Sequence, residues 1–223
     1  MNLSRREWIF LVGIVSFSAI PVIGGLLRAV ELAGGPAIVP EENPRALASP
    51  LPIVVHIVSS FLFCIVGALQ FVPSLRRRRL AMHRKMGRPI AIAGGISALT
   101  GLWMTHFYAF PADLQGRALY WTRIVLGLAM LGLIGWAWVA IRKRGIPQRV
   151  PRHGAAMIRA YAIAQGASTQ AFLGIGWTLL SGASPRGPFR DGLMVFAWVV
   201  NFAVAEYAIG KTLGRRRASA SPG

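Results

Sequence analysis

Residues 74 to 92, SLRRRRLAMHRKMGRPIAI, set seven cations (Arg76, Arg77, Arg78, Arg79, Arg84, Lys85 and Arg88) between two long apolar runs. A basic cluster alone suits a nucleic-acid surface or a membrane-flanking loop. The flanking runs decide between them, because an apolar run of about 20 residues is what crosses a bilayer. Only 14% of the chain is charged and 54% is hydrophobic, whereas a soluble domain carries about 25% charged residues. One cysteine, Cys64, lies inside an apolar run, which excludes a disulfide framework or a multi-thiolate metal centre and reads as a small buried apolar residue.

The pattern predicts an all-α, polytopic transmembrane helix bundle of six spans, over about residues 8–27, 51–72, 89–107, 118–141, 155–180 and 192–213. The first run is too long for a signal-peptide core and reads as an anchor, with a kink at Pro21. Pro36, Pro40, Pro44 and Pro50 mark a polar connection after it, and residues 214–223 read as a disordered basic tail. The six spans form one domain over residues 1–213.

With both termini cytoplasmic, 18 of the 25 cations fall on the cytoplasmic side. The other side holds Arg28, Arg45, Arg117, Arg186 and Arg190, while Arg123 and Arg159 lie within spans. That asymmetry is a positive-inside signal, which gives six spans with both ends inside; the expected location is an inner (cytoplasmic) membrane. It explains the net charge of +18 through topology and anionic lipid headgroups rather than through a nucleic acid.

Polar residues inside spans are costly and turn toward partners. Arg159 and Glu206 fall at similar depth on adjacent antiparallel spans, which predicts an ion pair. Gly166 and Gln170 continue the face of Arg159, and Asn201 adds an amide mid-span. In the second span His56, Ser60, Phe63, Gly67 and Gln70 recur at helical spacing; in the third, Gly94, Ala98, Gly101 and Thr105 form a small-residue stripe for close helix approach. Arg123, beside Tyr120 and Trp121, has the position of a snorkelling cation.

Two stretches echo each other. LAMHRKMGRPIAIAGG and VPRHGAAMIRAYAIAQG both place His at a cytoplasmic helix end, then Arg, then Ala-Ile-Ala and glycine. His83 and His153 on facing helices would supply axial nitrogens to a haem b, with Arg88 and Arg159 (and Arg84) balancing the propionates. An outer cluster of His56, His106 and Arg123 is the counterpart at the other face. A second haem there is disfavoured, since His83 and His106 stand about 34 Å apart along one helix. The residues leave two function classes open: a b-type-cytochrome-like electron-transfer protein, or a non-redox membrane protein. The second class includes a small-solute or lipid transporter and an accessory subunit held to a membrane partner or another copy. No phosphate-binding loop, dinucleotide fingerprint, HExxH or paired carboxylates occur, and the residues suggest no metal site.

Several of these positions together resemble a bacterial family of predicted membrane proteins, domain of unknown function 2306. They are His56, Gln70-Phe71, Leu75-Arg76, His83-Arg84, Gly87-Arg88, His153, Met157-Ile158-Arg159, Tyr161, Asn201 and Ala205-Glu206, spread over about residues 51 to 208. The family's His-Arg pair and the Trp before the Met are replaced here by Gly154 and Ala156. The resemblance implies a multi-pass membrane protein.

Overall fold

A computed structural model describes residues 3–36, 44–143, 145–146 and 148–218. Every regular element among them is helical. The helices are α1 (Arg5–Leu32), α2 (Pro44–Ala48), α3 (Pro50–Cys64), α4 (Pro73–Arg78), α5 (Leu80–Phe107), α6 (Arg117–Arg142), α7 (Arg149–Ser181) and α8 (Gly187–Ala218). A 3₁₀ segment, Val66–Phe71, continues α3. The last helix thus reaches into the segment expected as a disordered tail; residues 219–223 lie outside the described residues.

Five helical segments are long and apolar enough to cross a membrane: α1, Pro50–Phe71, α5, α6 and Gly187–Thr212 of α8. The segment at 155–180, expected as a sixth span, lies in α7. At 33 residues α7 is the longest helix, but it falls short of that apolarity. The cause is a polar middle, Gln165, Ser168, Thr169 and Gln170. Gln165 and Ser168 are buried within the protein, so the polarity of α7 faces neighbours rather than surroundings.

α7 packs against α1, α3, α6 and α8, and α5 packs against α3 and α6. Five helices therefore close a ring in the order α1, α3, α5, α6, α7, with α8 outside against α6 and α7. Large apolar side chains cover the outer faces, among them Ile9, Leu128, Phe172, Val199 and Val204. Small residues set the close contacts. A Cβ on Gly94 would stand 2.6 Å from the Phe63 ring, and one on Gly166 would stand 2.1 Å from the indole nitrogen of Trp198. Without it, Trp198 Nε1 donates to the Ile163 carbonyl at 3.1 Å.

The basic stretch is helical, not a loop. Pro73 opens α4 at a position that needs no amide hydrogen, and α5 begins at Leu80 and runs through Pro89. Arg77, Arg78, Arg79, Arg84, Lys85 and Arg88 are all exposed there, while Leu75 is buried. Glu7 ties this end together. It completes a capping box with Ser4 at the start of α1, and its Oε1 accepts from the Ser74 amide of α4 at 2.7 Å. One carboxylate thus satisfies open amides of two helices, whose first turns lack intrahelical partners.

Candidate functional site: a cavity inside the helix ring

The end where α4 and the start of α5 lie was the expected haem position. His153 Nδ1 donates to the Ala137 carbonyl of α6 at 2.9 Å. α6 stands between α5 and α7, which make almost no direct contact. The space between those two helices is filled: Ile90 and Tyr161 belong to one buried cluster with Phe63 and Cys64. The Tyr161 ring lies 4.8 Å from that of Phe71 and 5.8 Å from that of Phe63. Arg84 and Arg88 point to the exterior, and Arg159 is engaged elsewhere. His83 lies near His153, beside Arg76 and Arg84, but the apolar space next to the pair is taken by that aromatic core, so the residues present do not offer a haem its slot.

Arg159 and Glu206 form a two-pronged ion pair, Nε to Oε1 at 2.5 Å and Nη2 to Oε2 at 2.8 Å. The pair lies on the outside of the α7–α8 seam, with the side chains 37% and 51% exposed, not in the bundle interior. Further along the seam, Asn201 donates to Thr169 at 2.7 Å and Gln170 to the Met194 carbonyl at 3.1 Å. Gln70 faces Gly87 of α5, and both its amide atoms are buried without a hydrogen-bond partner among the described residues.

The second span breaks at mid-length, where a continuous helix was expected. α3 ends at Cys64 and the chain tightens into the 3₁₀ segment. The Cys64 carbonyl accepts from the Tyr161 hydroxyl at 2.5 Å. Broken backbone at membrane depth is tolerated when protein groups satisfy it, and Tyr161 is the group that does so.

Beyond this plug the ring encloses a cavity of about 450 Å³, touched by all six long helices and by the α5–α6 loop. Its size falls in the range of small-molecule sites, roughly 300–1,000 Å³. Two polar ledges face it. On α3 and α5, His56 Nδ1 lies 3.0 Å from both the Ser97 carbonyl and Thr100 Oγ1. Ser60 and Ser97 share a hydrogen bond of 2.7 Å. A carbonyl can only accept, so Nδ1 of His56 carries a proton. Across the ring, Ser18 of α1 and Ser168 of α7 line it, joined by Gln165 behind them, which donates to Ser18 at 2.7 Å and accepts from Ser168 at 2.8 Å. The remaining wall is mostly apolar, with Leu102, Met104, Leu126 and Met130.

Of the expected outer cluster, His56 and Arg123 reach the cavity wall. His106 does not: it is exposed and bonded to Tyr120 at 2.9 Å. Arg123 donates to Gln115 and lies 5.5 Å from the centre of the Phe110 ring. Arg45, from α2, stands over the same ring at 4.7 Å. Tyr108 donates to the Ser49 carbonyl at 2.7 Å, and burial pushes its phenol above the ordinary value, so it stays neutral. Asp191 accepts from the Gly116 amide at 2.9 Å, and its other oxygen is buried without a hydrogen bond among the described residues.

Sequence reasoning missed Ser18, Gln165, Ser168, Arg45 and Phe110. The signal for one ledge was present, because Gln165 and Ser168 are spaced for one helix face. Nothing local pairs Arg45 with a ring 65 residues away. Among the described residues no three His, Cys, Asp or Glu side chains gather as a metal site would require. No curated protein and no solved structure matches the chain. Residues 53–209, from α3 into α8, match the family model described as a predicted membrane protein, and the chain belongs to that family, domain of unknown function 2306.

Proposed function

We propose that this protein is a membrane-embedded, non-redox binding protein that holds a small solute or lipid inside its helix ring, as a transporter or lipid-handling protein does. The cavity carries this reading. It brings polar groups from several helices to one space at membrane depth, and such groups are expensive there unless they are used. On this reading α7 is a sixth span whose polar face is shielded by its neighbours. The charge asymmetry then sets both termini, the exposed arginines of α4 and the start of α5 in the cytoplasm of a bacterium, against anionic headgroups of its inner membrane.

The test is binding of an uncharged solvatochromic dye, Nile red, to the purified protein in nanodiscs of zwitterionic lipid. Wild type is expected to bind saturably. Ala167→Trp, at a wall position with room for a larger side chain, is expected to abolish binding while leaving the melting temperature unchanged. Equal dye binding by both proteins would sink the cavity as a ligand site.

A further inference from the structure

The cations on the non-cytoplasmic side of this topology run against the charge bias, and each needs a reason to be there. Arg28 pairs with Glu31 at 2.6 Å and Arg186 with Asp113 at 2.6 Å. Arg45 and Arg123 are different. Among the described residues neither makes an ion pair with a carboxylate, yet both guanidinium groups approach the ring of Phe110, which lines the cavity together with Arg123, while Arg45 stands just behind the wall. Arg45 Nε is buried with no hydrogen-bond partner among the described residues. Arg123, on the wall itself, is held by the neutral Gln115 carbonyl and a long contact to Met194 Sδ at 3.7 Å. Asp191 is near enough to moderate the charge of Arg123, but Arg190 is near as well. Among the described residues, the charges beside Arg123 are thus one cation and one carboxylate. Arg190 is not free, since it donates to the Leu114 carbonyl; Arg45 and Arg123 supply the uncompensated charge.

Buried guanidinium groups demand anionic oxygen partners, and Arg presents a fork that matches carboxylate or phosphate. The other end of the same cavity is apolar apart from the two ledges, and it closes on the Cys64 plug. Resting on the reading of this cavity as a binding site, we propose that its ligand is an amphipathic anion. Its carboxylate or phosphate head lies between Arg123 and Arg45, and its apolar body lies against Leu102, Leu126 and Met130. Phe110 serves both: its ring holds the two cations in place and forms apolar wall behind the head. Neutral Tyr108, also on the wall, adds no opposing charge.

The experiment uses the full chain in phosphatidylcholine nanodiscs, with tritiated palmitate, its methyl ester and inorganic phosphate as probes. Wild type is expected to prefer palmitate over the ester by at least about tenfold. Arg123→Gln is expected to erase that preference, and Arg123→Lys to retain part of it. Arg45→Gln, at a less enclosed position, should reduce the preference severalfold even if Arg123→Gln fails to fold. Millimolar phosphate should not displace palmitate. Equal binding of palmitate and ester, with Nile red still bound and still lost in Ala167→Trp, overturns the anionic head and leaves the cavity reading standing. Phosphate that displaces palmitate at its own binding concentration overturns the amphipathic body, since a free anion then suffices. Loss of Nile red binding as well as of the preference takes down both readings.

Discussion

At the end of the bundle where α4 meets α5, the interhelical space is filled by Phe63, Phe71, Ile90 and Tyr161, and charge lies outside on the exposed arginines. At the end where α5 turns into α6 the arrangement is reversed. Cavity occupies the centre, Arg123 lines its wall, and the Arg45 and Arg123 guanidinium groups both approach the ring of Phe110. The same six helices run through both ends, so the difference comes from side-chain size and polarity. Where α3 presents Phe63 to Gly94, the ring closes; where it presents His56 to Gly101, the ring stays open. A packed end fixes helix positions, and a hollow end makes room for a guest. Substitutions should therefore cost stability at the first and binding at the second.

The sharpest break of that contrast is Gly94→Ala. Its new Cβ would fall 2.6 Å from two ring carbons of Phe63 and 3.1 Å from Ile134 Cδ1. Phe63 is only 1% exposed and has nowhere to move. Overpacking of this kind costs about 2–3 kcal/mol, more than the helix gains by replacing glycine. The expected result is a melting temperature lower by roughly 5–10 °C in detergent. An unchanged melting temperature would mean that the packed end is no tighter than the hollow one.

Next in size is Tyr161→Phe. The ring stays in its aromatic cluster, but the Cys64 carbonyl loses its donor. A buried carbonyl left without a partner costs about 1–2 kcal/mol, read as a fall of a few degrees in melting temperature. If the break in α3 needs no such support, the variant will melt with wild type.

These two residues also mark what the sequence discloses. Five of the six expected spans were legible because apolar length is a property of one segment. The Arg159–Glu206 pair was legible because adjacent antiparallel helices place both at one depth. Its exposure on the α7–α8 seam was not, since helix rotation depends on neighbours such as Trp198 seated over Gly166. The break after Cys64 was hidden because its partner Tyr161 is 97 residues away. The basic run between two apolar spans suggested a loop, yet Pro73 sits where a helix starts and α5 runs through Pro89. The cavity was the least legible feature, because it is made by what Gly101, Ala98 and Ser168 leave unfilled across the ring.

A smaller effect is expected at the seam outside both regions. Glu206→Gln leaves the Arg159 guanidinium without its counter-charge on an apolar flank. Exposed pairs contribute little in water, but an unpaired cation at membrane depth is disfavoured. The expectation is a fall of about 2–4 °C in melting temperature, partly restored when Arg159→Met is added. Additive losses in the double variant would show that the two residues do not act as a pair.

The smallest effect should come from Gly101→Ala, the counterpart of Gly94→Ala at the hollow end of the same helix. The nearest atom to its new Cβ is His56 Cε1, at 3.4 Å. That is an ordinary contact with a side chain that borders empty space. With no clash to offset it, the helical preference for alanine should raise stability by about 0.5 kcal/mol, a shift of one or two degrees at most. Binding should respond in the opposite direction, because the added methyl group narrows the cavity beside the His56 ledge. Nile red affinity is therefore expected to fall while the melting temperature holds or rises. A drop in melting temperature comparable to that of Gly94→Ala would place His56 in a packed core, and the division of the bundle into a closed end and an open end would fail at that position.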